Sequence, residues 1–150
     1  MPWTREQQST ARAEITAAMH RYASLAREGA DWDAMAALFA PDGLYRLPNG
    51  VAVDPKRMVE VVQGNEAQYI RHHVTTIDIT FVGDTEAHTE AFYLAVTDRA
   101  SPDHWGGWKD VFRWHPQQEA WLIQDRTICV DGAAPGGWYA SVYGMPAKTS

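Results

Sequence analysis

The chain has 150 residues, enough for one domain with a sizeable core, and its 45% hydrophobic and 21% charged residues are those of a folded globular protein. A net charge of −6 without any basic block argues against nucleic acid or an anionic membrane surface as a partner. No apolar run approaches the roughly 20 residues of a membrane span, Met1-Pro2-Trp3-Thr4-Arg5-Glu6 has no apolar leader segment, and the single cysteine, Cys129, excludes an internal disulfide or a cysteine zinc cluster, so a cytoplasmic location is the simplest expectation.

Thr4-Arg5-Glu6-Gln7 reads as a capping box opening a helix. Ile15, Ala18, Met19, Tyr22 and Leu25 then recur at helical spacing, giving one long amphipathic helix that ends near Gly29. Asp31 caps a second, short helix with Trp32, Met35, Leu38 and Phe39 on one face, which Pro41 stops. Leu44–Leu47 and Val51–Val53 form a small hairpin around Pro48-Asn49-Gly50, where Asn-Gly is a strong turn signal. Asp54-Pro55 starts a third helix whose buried face carries Met58, Val61 and Val62.

From Ile70 the period changes from helical to two. Ile77, Ile79 and Phe81 alternate with polar residues up to a turn at Gly83-Asp84, a second strand runs through His88, Phe92, Leu94 and Val96, and a third through Trp108, Asp110, Phe112 and Trp114. After Pro116-Gln117-Gln118-Glu119 a fourth strand opens at Trp121-Leu122-Ile123 and reaches about Val130. Short turns between long alternating strands make an antiparallel meander, and three helices followed by a curved sheet make an α+β domain spanning residues 1–150. The Gly-, Ala- and Pro-rich tail from Asp131 is read as irregular, with Trp138, Tyr139 and Tyr143 available to fold it back over the sheet.

His72 and His73 sit where the helical region gives way to the first long strand. Histidine is the side chain whose ordinary pKa lies nearest neutrality, so one at the mouth of a pocket can exchange protons at working pH. Two in succession on a strand face opposite ways. Strict alternation puts His73 on the face of Ile77, Ile79 and Phe81, whereas a bulge near the start of the strand would put His72 there instead.

The order of elements, with Tyr22-Ala23, Asp31-Trp32-Asp33-Ala34-Met35-Ala36-Ala37-Leu38-Phe39-Ala40-Pro41-Asp42, Arg71-His72-His73-Val74-Thr75-Thr76, Trp108-Lys109-Asp110 and Ala120-Trp121-Leu122-Ile123-Gln124-Asp125-Arg126, resembles the SnoaL-like branch of the NTF2-like superfamily over residues 15–131. The resemblance implies a cone of three N-terminal helices packed on a curved antiparallel (mixed) sheet. It does not by itself imply one reaction, because the fold hosts isomerases, dehydratases, cyclases, hydrolases and binding domains. Its cofactor-free lyases, of the scytalone dehydratase and hexachlorocyclohexane dehydrochlorinase type, use a histidine oriented by an aspartate. Matching their Thr-Asn pair to Thr75-Thr76 implies His72 as the catalytic histidine, with Thr76 in place of asparagine. Their catalytic arginine, five residues after the last-strand tryptophan, corresponds to Arg126. Counting back from Phe39, the aspartate position falls on Glu28; counting forward from Tyr22 misses by one, which implies one inserted residue before Asp31.

Other candidates come from the pattern. Asp110 alternates with Trp108 and Phe112, so its carboxylate shares a face with two aromatic walls that can contact substrate; burial there would make it a proton donor, and pairing with Arg126 would make it structural. Arg126 can stabilise a developing anion, or pair with Asp110 or Glu28. Asp31 is a candidate carboxylate, although Asp31 and Asp33 suit a helix N-terminus better. Tyr22 and Tyr45 can donate phenolic hydrogen bonds into a pocket. His20, His88, His104 and His115 lack ligand-like partners at regular spacing, and no phosphate-binding glycine loop is present, so neither a metal nor a cofactor is expected. Cys129 is read as a small packed hydrophobe.

The leading expectation is therefore a cofactor-independent lyase or isomerase acting on a small apolar, cyclic molecule. His72 would remove a proton with help from Glu28 or a nearby aspartate, and Arg126, with Asp110 or a tyrosine, would stabilise the developing charge. The alternative is a non-catalytic binding or assembly domain. An epoxide-opening hydrolase using Asp110 and Arg126 is a third reading. The resemblance also implies a homodimer, or a trimer, formed through the outer face of the sheet.

Overall fold

A computed structural model describes residues 3–147; residues 1–2 and 148–150 of the expected domain lie outside the described residues. Helix α1, Arg5–Leu25, starts at the expected capping box, with Gln7 N–H donating to the Thr4 side chain and the Gln7 side chain accepting from the Thr4 amide. Its buried residues Ala11, Ile15, Met19, Tyr22 and Ala23 follow the three-and-four spacing of one face, and that face lies on the sheet.

The next two expected helices are much shorter. Helix α2, Trp32–Ala36, is capped by Asp31, whose carboxylate accepts from the Ala34 amide 3.0 Å away. It stops before Leu38 and Phe39 because the Leu38 carbonyl accepts from Ile123 N–H, and Phe39 already belongs to strand β1, Phe39–Arg46. Pro41 lies inside this strand rather than ending a helix, at an irregular stretch between Phe39 and Leu44 where the ladder shifts register. There its missing N–H costs nothing. Strand β2, Ala52–Val53, pairs with β1 across the expected Asn-Gly turn, with Gly50 at φ +85°. Asp54 caps a single 3-10 turn at Pro55–Arg57, followed by helix α3, Val59–Val62, so the third helix is little more than one turn.

Strands β3 (Ile70–Val82), β4 (Glu86–Thr97), β5 (His104–His115) and β6 (Ala120–Ala133) form the antiparallel meander. The six-stranded sheet has the order β2-β1-β6-β5-β4-β3 and is mixed, because β1 runs parallel to β6. The tail is not irregular: β6 continues to Ala133, and Trp138–Tyr143 form helix α4. Among the described residues no helix is long and apolar enough to cross a membrane.

The concave face of the sheet is filled at one end by Ile15, Met19, Phe112, Trp121 and Ile123. At the other end it is left hollow. There the last turn of α1, the α2 and α3 region, the start of β3, the start of β5, the end of β6 and α4 enclose a cavity of about 520 Å³.

Candidate functional site

A bulge decides which histidine enters this cavity. Val74 pairs with Tyr93 and Thr76 with Phe92, so Thr75 is an extra residue in β3. The slip reverses the alternation, which puts His72 and Val74 on the same concave side as Ile77, Ile79 and Phe81. His72 lines the cavity, while His73 is exposed on the convex face.

The His72 imidazole is held by the end of α1. Its Nδ1–H donates to the Ala26 carbonyl at 2.9 Å, one of the carbonyls left unpaired where the helix stops. This fixes the tautomer and leaves Nε2 without a protein partner among the described residues. Burial, reinforced by His104 nearby, pushes the His72 pKa down to about 4, so the ring is neutral at physiological pH.

Glu28 does not orient His72. Its carboxylate accepts from Arg71 Nη1 at 2.8 Å and from the Ile70 amide at 2.9 Å. These donors hold its pKa at about 2. The chain has already turned by residue 28, so the group that reaches His72 from α1 is the Ala26 main chain. Asp31 is exposed and occupied as the α2 cap.

A histidine–carboxylate pair does face the cavity, from residues the sequence pattern passed over. His104, the first residue of β5, lines the cavity, and its Nδ1–H donates to Asp103 Oδ2 at 2.8 Å. Asp103 is 0% exposed. Its carboxylate also accepts from Thr97 Oγ1 (2.8 Å), the Trp138 amide (2.6 Å) and the Tyr139 amide (3.1 Å). Burial alone would raise the Asp103 pKa, but these four donors outweigh it and hold the carboxyl below its ordinary value. Burial lowers the His104 pKa, and Asp103 offsets part of that effect. The two imidazole centroids lie 6.1 Å apart, Tyr93 stands about equally far from each at 5.9 and 6.1 Å, and the Tyr139 ring covers His104 at 4.9 Å.

Arg126 and Asp110 form the expected pair, but behind the cavity wall. Arg126 Nε donates to Asp110 Oδ1 at 2.8 Å and Nη2 to Oδ2 at 2.7 Å, with both side chains fully buried. The guanidinium lies 4.2 Å from the ring centres of both Tyr22 and Trp108, and Nη1 has no hydrogen-bond partner among the described residues. Neither charged group reaches the cavity surface, whereas Tyr22, Tyr45 and Trp108 do. Phe112 is fully buried in the packed end of the core and does not line the cavity. Burial raises the pKa of both phenols, and Arg126 counteracts this at Tyr22 most directly. A buried cation behind a phenol strengthens its O–H as a hydrogen-bond donor.

The remaining walls are aromatic and aliphatic, including Trp32, Met35, Ile128, Trp138 and Tyr143; Arg27, Glu28 and Glu66 are the charged residues on the lining. No group of three or more His, Cys, Asp or Glu able to hold a metal occurs among the described residues.

A long helix laid in a curved mixed sheet, with a buried pocket at one end, defines the cone-shaped α+β class to which NTF2-like proteins belong. The sequence profile of the SnoaL-like domain matches residues 7–127, and the chain belongs to that family. No curated protein sequence matches the chain. Several solved structures share the fold. A protein from Novosphingobium aromaticivorans DSM 12444 assigned as a scytalone dehydratase is 19% identical with a TM-score of 0.72, over 89% of this chain and 95% of that one. A type 2 hexachlorocyclohexane dehydrochlorinase (LinA) is 10% identical with a TM-score of 0.76, over 88% and 93%. A protein of unknown function with a cystatin-like fold from Nostoc punctiforme PCC 73102 is 20% identical with a TM-score of 0.73, over 90% and 98%.

Proposed function

We propose that the protein is a cofactor-independent lyase or isomerase that moves a proton on a small, neutral, cyclic molecule. The observation that carries the reading is the pair of imidazoles facing one aromatic-walled cavity, one of them backed by a buried carboxylate. His104 is the base: Nε2 takes a proton from a carbon next to a carbonyl or leaving group, and Asp103 stabilises the imidazolium. Tyr22 and Tyr45, with Arg126 behind Tyr22, donate to the oxygen on which charge develops. His72, with Nδ1 pinned to Ala26, places Nε2 beside the reacting region and serves as the second proton-accepting site. Return of the proton to another carbon gives isomerisation; its delivery to a departing hydroxyl gives dehydration. A cavity of about 520 Å³ suits one or two fused rings. The uncharged imidazoles and aromatic walls favour a substrate without formal charge. Kinship with dehydratase- and dehydrochlorinase-type proteins supports the same class of reaction.

The test is solvent deuterium exchange into enolisable cyclic ketones in the presence of the protein, followed by mass spectrometry. Catalysed exchange that His104→Ala abolishes and His72→Ala reduces is the expected result. No exchange across mono- and bicyclic ketones would sink the proton-transfer reading.

One observation favours the binding-domain alternative. The Glu28 carboxylate on the lining is taken up by Arg71 and the Ile70 amide, and the Arg126 guanidinium lies behind the wall, so neither is placed as the lyase pattern implies. That reading expects tight binding of a neutral ring compound with no exchange at any pH. For assembly we propose a homodimer, with a trimer as the alternative, through the convex face where Phe92 and Trp105 are 48% and 39% exposed. Sedimentation velocity of the wild type and of Phe92→Lys tests it: dissociation of the assembly by the added charge is expected.

A further inference from the structure

Asp103 is the residue with the most demands on it in this molecule. A fully buried carboxylate with four donors is a junction between three pieces of chain. Thr97 comes from the end of β4, His104 from the start of β5, and Trp138 and Tyr139 from the start of α4. The main chain adds to it, because the Ala134 amide donates to the Asp103 carbonyl at 2.7 Å. Gly137 must be glycine for this seat to close: a Cβ there would stand 2.6 Å from Asp103 Oδ1, inside van der Waals contact.

The segment seated on Asp103 is also a wall of the cavity. Trp138, Tyr139 and Tyr143 line it, and the Tyr139 ring lies over His104. On the far side, Trp138 Nε1 donates to the Asn65 carbonyl at 2.8 Å and Tyr143 Oη to the Val61 carbonyl at 3.3 Å, so the segment spans from the sheet to the α3 region. Removing it would take away two of the four donors to Asp103, uncover the carboxylate and open the cavity to water together.

We propose that Asp103 is a positioning residue that couples closure of the cavity by residues 134–143 to the readiness of His104 as a base, so that the base is set only when the wall is in place. The proposal rests on the proton-transfer reading of the site. In the seated state the two α4 amides fix the carboxylate, and the carboxylate fixes His104 with Nδ1 protonated and Nε2 bare. In the unseated state water competes for both partners, and the imidazole reverts to a mixture of tautomers with an ordinary affinity for protons. A substrate filling the cavity packs against Trp138 and Tyr139, which favours the seated state and assembles the base around it.

The experiment is nitrogen-15 NMR of the histidine side chains in the full chain, as wild type and as Gly137→Ala. The groups facing His104 are Asp103, His72 from β3, Tyr93 from β4 and Tyr139 from α4, so both histidines are followed together. In the wild type His104 is expected as a single tautomer with bare Nε2. In Gly137→Ala that signature is expected to collapse to averaged tautomers, with titration moving up towards an ordinary histidine. Asp103→Asn should move the titration down instead, while Asp103→Glu restores part of the wild-type behaviour. If Gly137→Ala, folded by circular dichroism, keeps the locked tautomer and the wild-type titration, the coupling is wrong. The readout needs no substrate, so absence of deuterium exchange would overturn the enzyme reading while leaving this result to stand or fall by itself.

Discussion

Acid sensitivity of the fold offers a quantitative check on the position of His72. Its pKa falls from an ordinary 6.5 to about 4 because burial, His104 and Arg126 all disfavour the charged ring, against only the Ala26 carbonyl in its favour. In the unfolded chain the ring takes its proton near pH 6.5, and in the native state only near 4. Between those values the unfolded state binds more protons, so native stability declines as pH falls through that window and the loss is complete below about 4. The full difference of about 2.5 units corresponds to about 3 kcal/mol at 1.36 kcal/mol per unit. This is a large fraction of the roughly 5–15 kcal/mol typical of a domain. His104 and Asp103 are shifted in the sense that destabilises at low pH as well. The measurement is therefore a difference between wild type and His72→Gln, which keeps an N–H for Ala26 but cannot titrate. Urea unfolding at about pH 7.5, 6.5, 5.5 and 4.5 should give curves that diverge below about 6.5, the variant gaining about 2.5 kcal/mol on wild type at about pH 4.5. Parallel curves would mean that the ring is hydrated and that the cavity placement of His72 is wrong.

Three further outcomes follow from the same geometry. Asp110→Ala leaves the Arg126 charge buried and uncompensated and should cost about 3–5 kcal/mol by denaturant unfolding, whereas the double replacement Asp110→Leu, Arg126→Met should recover most of it. Glu28→Gln breaks the pairing with Arg71 and should leave the NMR titration of His72 unchanged; a shift would show that Glu28 governs the imidazole after all. Gly106→Ala should destabilise by about 1–3 kcal/mol in a thermal or urea melt, because a Cβ there would overlap the Cys129 carbonyl oxygen where β5 and β6 approach at a bulge.

Elements whose signal is local were legible in the sequence. The capping box, the face of α1 and the order of strands β3 to β6 appear where the pattern puts them, because each depends on residues within a turn or two. Phe39 and Pro41 were misread for the opposite reason. Their helical spacing is real, but β1 is held by parallel pairing with β6, with Tyr45 opposite Arg126 some 80 positions along the chain, and no local pattern reports that bond. The tail was misread because its small residues look like punctuation. Gly136, at φ +77°, and Gly137 are there to bring α4 onto Asp103.

The site was legible in its parts and not in its wiring. The bulge that selects His72 over His73 is one extra residue, Thr75, whose type gives no sign of it. The Asp103–His104 pairing has no local signature, because neighbours on a strand face opposite ways. The two pair here because Asp103 lies just before β5 begins, where its side chain is free to turn back under the ring. The result is an exchange of roles. A family-type carboxylate on the first helix would have made His72 the stronger base. Instead His72 faces a main-chain carbonyl, a dipole with no net charge, while His104 faces a full, buried carboxylate. A net charge a hydrogen bond away stabilises an imidazolium far more than a carbonyl does in a low-dielectric interior, so proton affinity is concentrated on His104. His72, held neutral down to about pH 4, is left to shape the cavity and to offer a lone pair. On the proposed proton-transfer reading, which of the two cavity histidines acts as the base is set by what their Nδ1 atoms touch, and that is decided by the end of one helix and the seat of another.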